Sequence, residues 1–289
     1  MSTFLASLGE FPAGISYDLH VIFKGFPSRA TVDEAKILFS KVTINPIEVD
    51  DVGFDIGAYL KAARLVENRR LMFLNTFSAV LSADWLRYFS EALDQTGVGV
   101  VGATGSWQAR VTGYELRALH ILRRLRRICI SAGPDHHSPT SLLPRRATKP
   151  RDLLRLSFSP LSYIYHFYHY PRHPNPHIRT NAFLIDRDLF LSLEFPRFVK
   201  KEDAYRFESG RRSMTNQIIA RGLRPVVVGK DGAVFDIEDW NTSSTFWVDH
   251  QKNLLISDNR TRDYLEGAPE FRTLLENMAW HHPRFWRHV

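Results

Sequence analysis

The chain has 289 residues, of which 44% are hydrophobic and 24% are charged. This composition is typical of a globular protein and excludes a disordered or low-complexity chain. The sequence contains no run of about 18 apolar residues, so it predicts no transmembrane helix. Its start lacks the basic segment of a signal peptide, and the single cysteine, Cys129, excludes an internal disulfide. We therefore expect a cytoplasmic protein.

The net charge of +7 is concentrated in one segment. Between Arg110 and Arg155, ten arginines and one lysine face three acidic residues, a local net charge of +8. Several of these arginines share a predicted helix with an apolar stripe, as in helices that lie on a membrane surface. We predict that residues 110–155 make a peripheral contact with anionic lipid at the inner face of the membrane. We expect no nucleic-acid partner, because no nucleic-acid-binding module surrounds the cluster.

Taken in chain order, the sequence alternates predicted strands with helices of about ten residues. The predicted strands cover residues 17–23, 44–49, 71–74, 98–101, 180–185 and 225–228. The predicted helices cover residues 2–9, 33–42, 57–68, 83–93, 187–193 and 214–221. This alternation predicts an α/β fold with a single Rossmann-like sheet, mixed but mostly parallel, flanked by helices.

Residues 106–178 interrupt this alternation. An Arg-rich stretch is followed by a Pro- and Ser-rich stretch and then by an aromatic, His-rich run. We interpret this segment as an α-helical and aromatic insertion within a single domain, 1–289, whose C-terminal extension from about residue 240 is predicted to be helical. The histidines of the insertion indicate either a metal site or an aromatic packing or acceptor-binding surface, and their irregular spacing favours the second. They are His166, His169, His173 and His177.

Polar residues follow two of the predicted strands. Asp51 and Asp55 lie between a strand and a helix, next to glycines that would let a ligand approach closely. Asn75 and Thr76 follow the strand over residues 71–74. Ligands of open α/β sheets bind at the carboxyl ends of the strands, so these four residues are candidate ligand contacts. Asp55 could alternatively cap the helix that follows it.

Three further groups are candidates. Residues 102–106 form a loop after a strand, which could approach a phosphate or a sugar or be a plain turn. Gly105, Ser106 and the adjacent Trp107 are its candidate contacts. Glu202 and Asp203 could supply the carboxylate base that a transferase needs, or they could be a solvated charge patch. His250 lies beside aromatic residues and could close an active site or belong to the polar edge of the core.

Five segments, taken in order, resemble a group of bacterial glycosyltransferases of the glycosyltransferase-A fold, related to rhamnan-synthesis and family-two enzymes. The segments are FLNTFS…DWL, GVGVVGATGSW, NPHIRTNAFLIDRDLF, KEDAYRFESGRR and GLRPVVVGKDG. The similarity covers roughly residues 15–105 and 174–265. It is specific as an ordered set, and each segment alone is weak.

The resemblance implies an inverting transfer of a sugar from a nucleotide-sugar donor to a glycan or lipid-linked acceptor hydroxyl, in bacterial surface polysaccharide biosynthesis. It places the base at Asp203, with Glu202 beside it. It also implies a donor site made of Asp51, Asp55, Asn75, Thr76, Arg179 and Asn181. The alternative function is a catalytically degenerate domain that binds a glycan or a partner enzyme.

The chain departs from the family in two places. Asn75-Thr76-Phe77 stands where the family carries an Asp-x-Asp metal motif, and an amide is a poor ligand for a hard cation. Either the enzyme needs no metal, with Arg179, Lys201 and the Arg-rich insertion neutralising the leaving diphosphate, or other groups hold Mn²⁺ or Mg²⁺. The family's fold also opens with a strand that binds the nucleotide base, whereas the first element predicted here is the helix after it.

Overall fold

The structure is a computed structural model that describes residues 2–111 and 160–281. Its helices are α1 (Ser2–Glu10), α2 (Arg29–Ile37), α3 (Phe54–Leu65), α4 (Trp85–Asp94), α5 (Pro160–His169), α6 (Arg187–Leu191), α7 (Lys201–Ser209), α8 (Met214–Ala220), α9 (Asn259–Glu266) and α10 (Pro269–Trp280). Its strands are β1 (His20–Phe23), β2 (Asn45–Glu48), β3 (Arg70–Leu74), β4 (Ala79–Val80), β5 (Val98–Gly102), β6 (Gly105–Ser106), β7 (His177–Ile178), β8 (Ala182–Asp186), β9 (Arg224–Val228), β10 (Val234–Phe235) and β11 (Ile256–Ser257). The predicted α/β class is confirmed.

Five strands form the central sheet, in the order β10-β9-β5-β8-β3. Within it, β5 and β9 are parallel, and the other neighbouring pairs are antiparallel. The expectation of a mostly parallel sheet is therefore wrong for the neighbouring pairs of this sheet. Strands β3, β5 and β9 nevertheless run in one direction, so their carboxyl ends and the start of β8 share one edge of the sheet, called here the carboxyl edge.

The direction of β8 follows from the insertion. The chain leaves β5 at the carboxyl edge and forms β6 at once. It returns through β7, which pairs antiparallel with β6 at Gly105–Ile178 and Ser106–His177. Because the insertion begins and ends at the same edge, the chain must cross the sheet back toward the amino ends of β3 and β5. The sequence pattern predicts which residues form β8, but it does not show at which edge of the sheet the insertion ends.

Side chains of the central strands alternate between two apolar layers. On one face, Phe183 and Ile185 of β8 belong to the cluster that includes Tyr59 of α3. On the other face, Leu184 packs in a cluster with Phe89 of α4. Since both layers are filled, the central sheet is buried on both faces, and exposed polar groups are confined to its edges and ends.

Strands β1 and β2 stand apart from the central sheet as a parallel pair. Helix α2 connects them, and its first turn is capped by Ser28, whose side chain accepts a hydrogen bond from the backbone N–H of Thr31. Helix α3 then leads from this pair to β3, the edge strand of the central sheet.

The C-terminal extension is α-helical only from Asn259 onward, after a single 3₁₀ turn at Asp249–Gln251, so the prediction of a helical tail from about residue 240 is wrong for its first part. A right-handed helix cannot form there, because five non-glycine residues have positive φ angles. These residues are Ser244, Trp247, Asp249, His250 and Gln251. In the ranges that the structure describes, no helix has the length and apolar character needed to cross a bilayer.

Candidate functional site

A hydrogen-bond network at the carboxyl edge joins the loops after β3 and β5 to the residues before β8. The backbone N–H of Asn75 donates to the carbonyl oxygen of Asn181 over 2.9 Å. The Thr104 hydroxyl donates to Asn181 Oδ1 over 3.0 Å. The Asn75 side-chain oxygen accepts bonds from the Phe77 N–H and the Ser78 hydroxyl. The Asn75 oxygen is therefore engaged in its own turn.

Arg179 places a positive charge at this edge. Its guanidinium pairs with the buried carboxylate of Asp258 at 3.2 Å and lies over the ring of Phe246 at 4.4 Å. Two buried N–H donors here have no hydrogen-bond partner among the described residues: Arg179 Nη1 and Asn181 Nδ2. Unpaired buried donors are costly, so they favour a ligand that is rich in oxygen acceptors.

Three of the predicted donor-site residues line one cavity of about 990 Å³ between β1 and β3. Asp55, Asn75 and Thr76 contribute to its lining, together with Lys24 at the end of β1. Asp51 lies outside this lining and forms an exposed ion pair with Lys24 at 3.0 Å. The alternative that Asp55 caps α3 is wrong, because Gly53 occupies the N-cap position.

Tyr59 connects α3 to the residues around Arg179. Burial raises the pKa of Tyr59, and the nearby carboxylates of Asp55 and Glu208 raise it further. Glu208 in turn accepts a hydrogen bond from the backbone N–H of Thr180 over 3.3 Å. Helix α3, which carries Asp55, therefore packs against α7, whose Glu208 contacts the segment that carries Arg179 and Asn181.

Glu202 and Asp203 have different surroundings. Asp203 Oδ2 accepts the backbone N–H groups of Val199 and Lys200, so this carboxylate caps α7. Glu202 Oε1 accepts the hydroxyl of Tyr170. Glu202 Oε2 lies 3.6 Å from Arg110 and has no hydrogen bond among the described residues. Neither carboxylate is simply a solvated charge patch.

The loop after β5 is part of the packing. Gly105 and Ser106 are buried, and Gly105 lies against the indole of Trp240. Trp107 donates its Nε1–H to the carbonyl oxygen of Ile237 and packs edge-on against Trp280. These contacts give the three residues a structural role. Gly105 and Ser106 expose no surface to an acceptor, and binding of an acceptor by this loop stays a prediction. His250, by contrast, is exposed at a strained backbone position.

The histidines of the insertion contact protein groups. His166 stacks on Tyr170, and its Nε2 lies 3.5 Å from Glu202 Oε1. His177 Nδ1 lies 2.8 Å from the carbonyl oxygen of Asn175. In the part of the chain that the structure describes, no three His, Cys, Asp or Glu side chains come together as a metal site. The basic residues 112–155, predicted to contact lipid, lie outside the described ranges.

His177 should make stability depend on pH. Burial lowers its pKa below the ordinary value of about 6.5. The unfolded chain therefore takes up a proton at a higher pH than the folded protein. We expect the free energy of unfolding to fall as the pH drops below about 6.5, by up to about 1.4 kcal/mol per pH unit from this group. Urea unfolding at a series of pH values measures this slope. His177→Gln should flatten the dependence of the free energy of unfolding on pH, whereas the control His250→Gln, at an exposed site, should leave it unchanged. Equal slopes for His177→Gln and the parent would show that His177 does not cause the dependence.

Sequence reasoning missed Asp258 and Tyr170 as site residues. It selected Thr104 only as part of the loop 102–106 after a buried strand, without the contact to Asn181. Asp258 and Tyr170 carry no local signal, because they meet Arg179 and Glu202 only through tertiary contacts.

Comparisons of the chain with models of known protein families, with curated protein sequences and with solved structures give no match.

Proposed function

We propose that the protein transfers a sugar from a nucleotide-sugar donor to a hydroxyl of a glycan or lipid-linked acceptor. The observation that supports this best is the pair of buried, unpaired N–H donors at the carboxyl edge, Arg179 Nη1 and Asn181 Nδ2. A diphosphate offers closely spaced anionic oxygens to such donors. The sequence resemblance to glycosyltransferases supports the same substrate class.

In this proposal Arg179 stabilises the charge that develops on the leaving diphosphate. It lies between a buried carboxylate and an aromatic ring, so it is held in place before the ligand binds. The residues at the family's metal position do not fit a divalent cation, since the Asn75 oxygen is engaged in its turn and Phe77 has no oxygen in its side chain. No step of the proposed reaction is therefore routed through a metal.

We place the general base at Glu202. Each carboxylate keeps one oxygen whose nearest cation lies at 3.6 Å, Asp203 Oδ1 beside Arg206 and Glu202 Oε2 beside Arg110. Asp203 is also held in its helix cap by two backbone N–H groups, and its side chain is 15% exposed against 24% for Glu202, so Glu202 is the more accessible base. In the reaction, the acceptor hydroxyl gives its proton to Glu202, and its oxygen bonds to the anomeric carbon. The bond from that carbon to the diphosphate oxygen breaks, and the nucleoside diphosphate leaves with the electron pair.

Glu202→Gln should lower kcat by a factor of about 10² to 10⁴, because it removes the base and keeps the side-chain shape. Asp203→Asn should leave kcat within a few-fold and cost about 1 kcal/mol of stability, as expected for a weakened cap. Turnover is measured as release of nucleoside diphosphate, and stability by urea unfolding. The reverse pattern would return the base to Asp203.

The test of the function itself is calorimetric titration with UDP, GDP, dTDP and CMP and with their sugars, with and without Mn²⁺. A bound ligand also stabilises the folded state by mass action, so thermal shifts give a second readout. We expect one nucleoside diphosphate to bind without Mn²⁺ and its sugar to be turned over. Failure of all of them to bind would refute the proposal.

The second candidate is a degenerate domain that binds a glycan without transferring a sugar. The observation that favours it is Asp203, the residue at the family's base position, whose carboxylate caps its own helix. Binding of a glycan together with no release of nucleoside diphosphate from any donor would support this alternative.

A further inference from the structure

Two strand edges face each other across the cavity of about 990 Å³. One belongs to β1, whose only partner within residues 2–111 and 160–281 is β2. The other belongs to β3, which pairs on one side with β8. At the amino ends of both strands, Asn68 bridges the gap, with its side chain 3.1 Å from His20 Nε2 and 2.8 Å from Asp18 Oδ2. The strands thus run side by side, separated by an open slot.

The hydrogen-bond registers show which backbone groups face the slot. In β1, the carbonyl groups of Leu19 and Phe23 accept hydrogen bonds from β2. Because backbone groups alternate in direction along a strand, the N–H and C=O groups of His20 and Ile22 face the slot. In β3, the carbonyl oxygen of Arg69 accepts the N–H of Arg187, and the N–H of Asn75 donates to the carbonyl oxygen of Asn181. The backbone groups of residues 69, 71, 73 and 75 therefore face β8. The β3 residues whose N–H and C=O groups face the slot are therefore Arg70, Met72 and Leu74.

The slot has the size and the walls of a strand position. Five strand residues, at about 3.3 Å each, about 4.8 Å between strands and about 10 Å between layers, occupy about 800 Å³. Helix α1 contributes Phe4 and Leu8 to the lining, and α3 contributes Tyr59 and Ala62. A strand covered by helices on both faces must be apolar on both sides, so its sequence is a continuous apolar run.

Three buried polar atoms that line the cavity favour a peptide over an apolar ligand. Tyr59 Oη, Trp85 Nε1 and His20 Nδ1 have no hydrogen-bond partner among the described residues. All three residues line the cavity. A dry apolar ligand would leave the slot-facing backbone groups of β1 and β3 unsatisfied, whereas a peptide brings N–H and C=O groups that pair with them. Each peptide carbonyl oxygen also keeps a second lone pair, which can accept a bond from a donor among these side chains.

Residues 112–159 and 282–289 offer no suitable run. They contain at most three consecutive apolar residues, at Ile128-Cys129-Ile130, and their other apolar pairs are flanked by Arg, His, Asp, Ser or Pro. The remaining strands are already paired in the fold.

We propose that the slot between β1 and β3 binds an extended apolar segment of a partner polypeptide, which inserts as a β-strand and joins β2, β1 and the central sheet into one continuous sheet. The inserted strand pairs with both edges, as in β-strand addition but with two edges instead of one. One end of the inserted strand would emerge beside Lys24, Asn75 and Thr76, which line the same cavity.

The test uses full-length protein and a panel of soluble peptides, each with a core of five Val, Ile or Leu residues between lysine pairs. Amide hydrogen exchange is followed at single-residue resolution with and without peptide. We expect the amides of Ile22, Met72 and Leu74 to exchange rapidly in the free protein and at least 100-fold more slowly with bound peptide. The amides of Leu71 and Phe73, already bonded to β8, should change little.

Two controls separate strand insertion from simple filling of the cavity. A peptide with proline at the centre of its core lacks one N–H and should bind at least tenfold more weakly. Met72→Pro removes an N–H that faces the slot but keeps the ladder to β8, so it should fold and lose peptide affinity by a similar factor. The readout does not depend on Arg179 or on turnover, so the proposal stands or falls separately from the sugar-transferase function.

Other outcomes would overturn the insertion. Slow exchange of the slot-facing amides in the free protein at all concentrations would mean that the chain closes the slot itself. Protection that grows with protein concentration alone would identify a second copy as the occupant. Protection by dodecanoate, with no effect of any peptide, would identify an acyl-chain site.

Discussion

Arg179→Ala is expected to weaken the binding of nucleoside diphosphates by a factor of about 10 to 150 and to destabilise the fold. The substitution removes the charged donor at the carboxyl edge, and a charge-assisted hydrogen bond contributes about 1.5 to 3 kcal/mol, or a factor of about 10 to 150 in affinity. It also leaves Asp258, 1% exposed, without its cation. Breaking a buried ion pair from one side typically costs about 3 to 5 kcal/mol. Calorimetric titration and urea unfolding measure the two effects.

Arg179→Lys separates binding from folding. Lysine keeps a positive charge near Asp258 but lacks the planar fork that serves a carboxylate and a phosphate together. We expect Arg179→Lys to recover most of the stability and to stay at least tenfold weaker than the parent in nucleotide binding. Parent-like affinity in a stable Arg179→Lys or Arg179→Ala protein would show that Arg179 does not contact the ligand.

Gly105→Ala should destabilise the protein strongly, although it adds only one methyl group. A Cβ atom at residue 105 would lie 2.7 Å from Trp240 Cδ2 and closer still to Cε3. The indole cannot move away, because Trp240 is fully buried and its Nε1–H donates to the carbonyl oxygen of Phe235 over 3.1 Å. Overpacking of this kind typically costs about 1 to 3 kcal/mol, and urea unfolding measures it.

Gly9→Ala is the matched control for this substitution. Gly9 lies in α1, and no atom would come within 4 Å of an added Cβ. Alanine is the better helix former, so Gly9→Ala should stabilise the protein by about 0.5 to 1 kcal/mol. If Gly105→Ala proved as stable as the parent, Gly105 would not pack as tightly against Trp240 as the structure shows.

Local pattern was sufficient to predict most elements. The apolar run at residues 71–74 and the polar residues after it predicted β3 and the turn at Asn75, because strand period and turn chemistry act over a few residues. The helix predicted over residues 33–42 was less accurate. The helix instead runs from Arg29 to Ile37 and is capped by Ser28, in a capping box with Thr31 as its third helical residue.

Distant contacts decided the surroundings of the candidate residues. Nothing near Glu202 in the sequence indicates that it meets Tyr170 and Arg110, or that its neighbour Asp203 caps α7. Adjacent carboxylates read alike in a sequence, and only the position of each side chain on the helix surface distinguishes the cap from the candidate base.

The sequence by itself determined the α/β class, the order of its strands and helices, and the polar character of the strand ends. Those features depend on periodicity and on capping and turn residues, which act between near neighbours. Only the tertiary structure decided that β8 runs antiparallel, that Arg179 and Asn181 keep unpaired donors, and that β1 and β3 face each other across an open slot. These features depend on contacts between segments far apart in the chain, which no local pattern encodes.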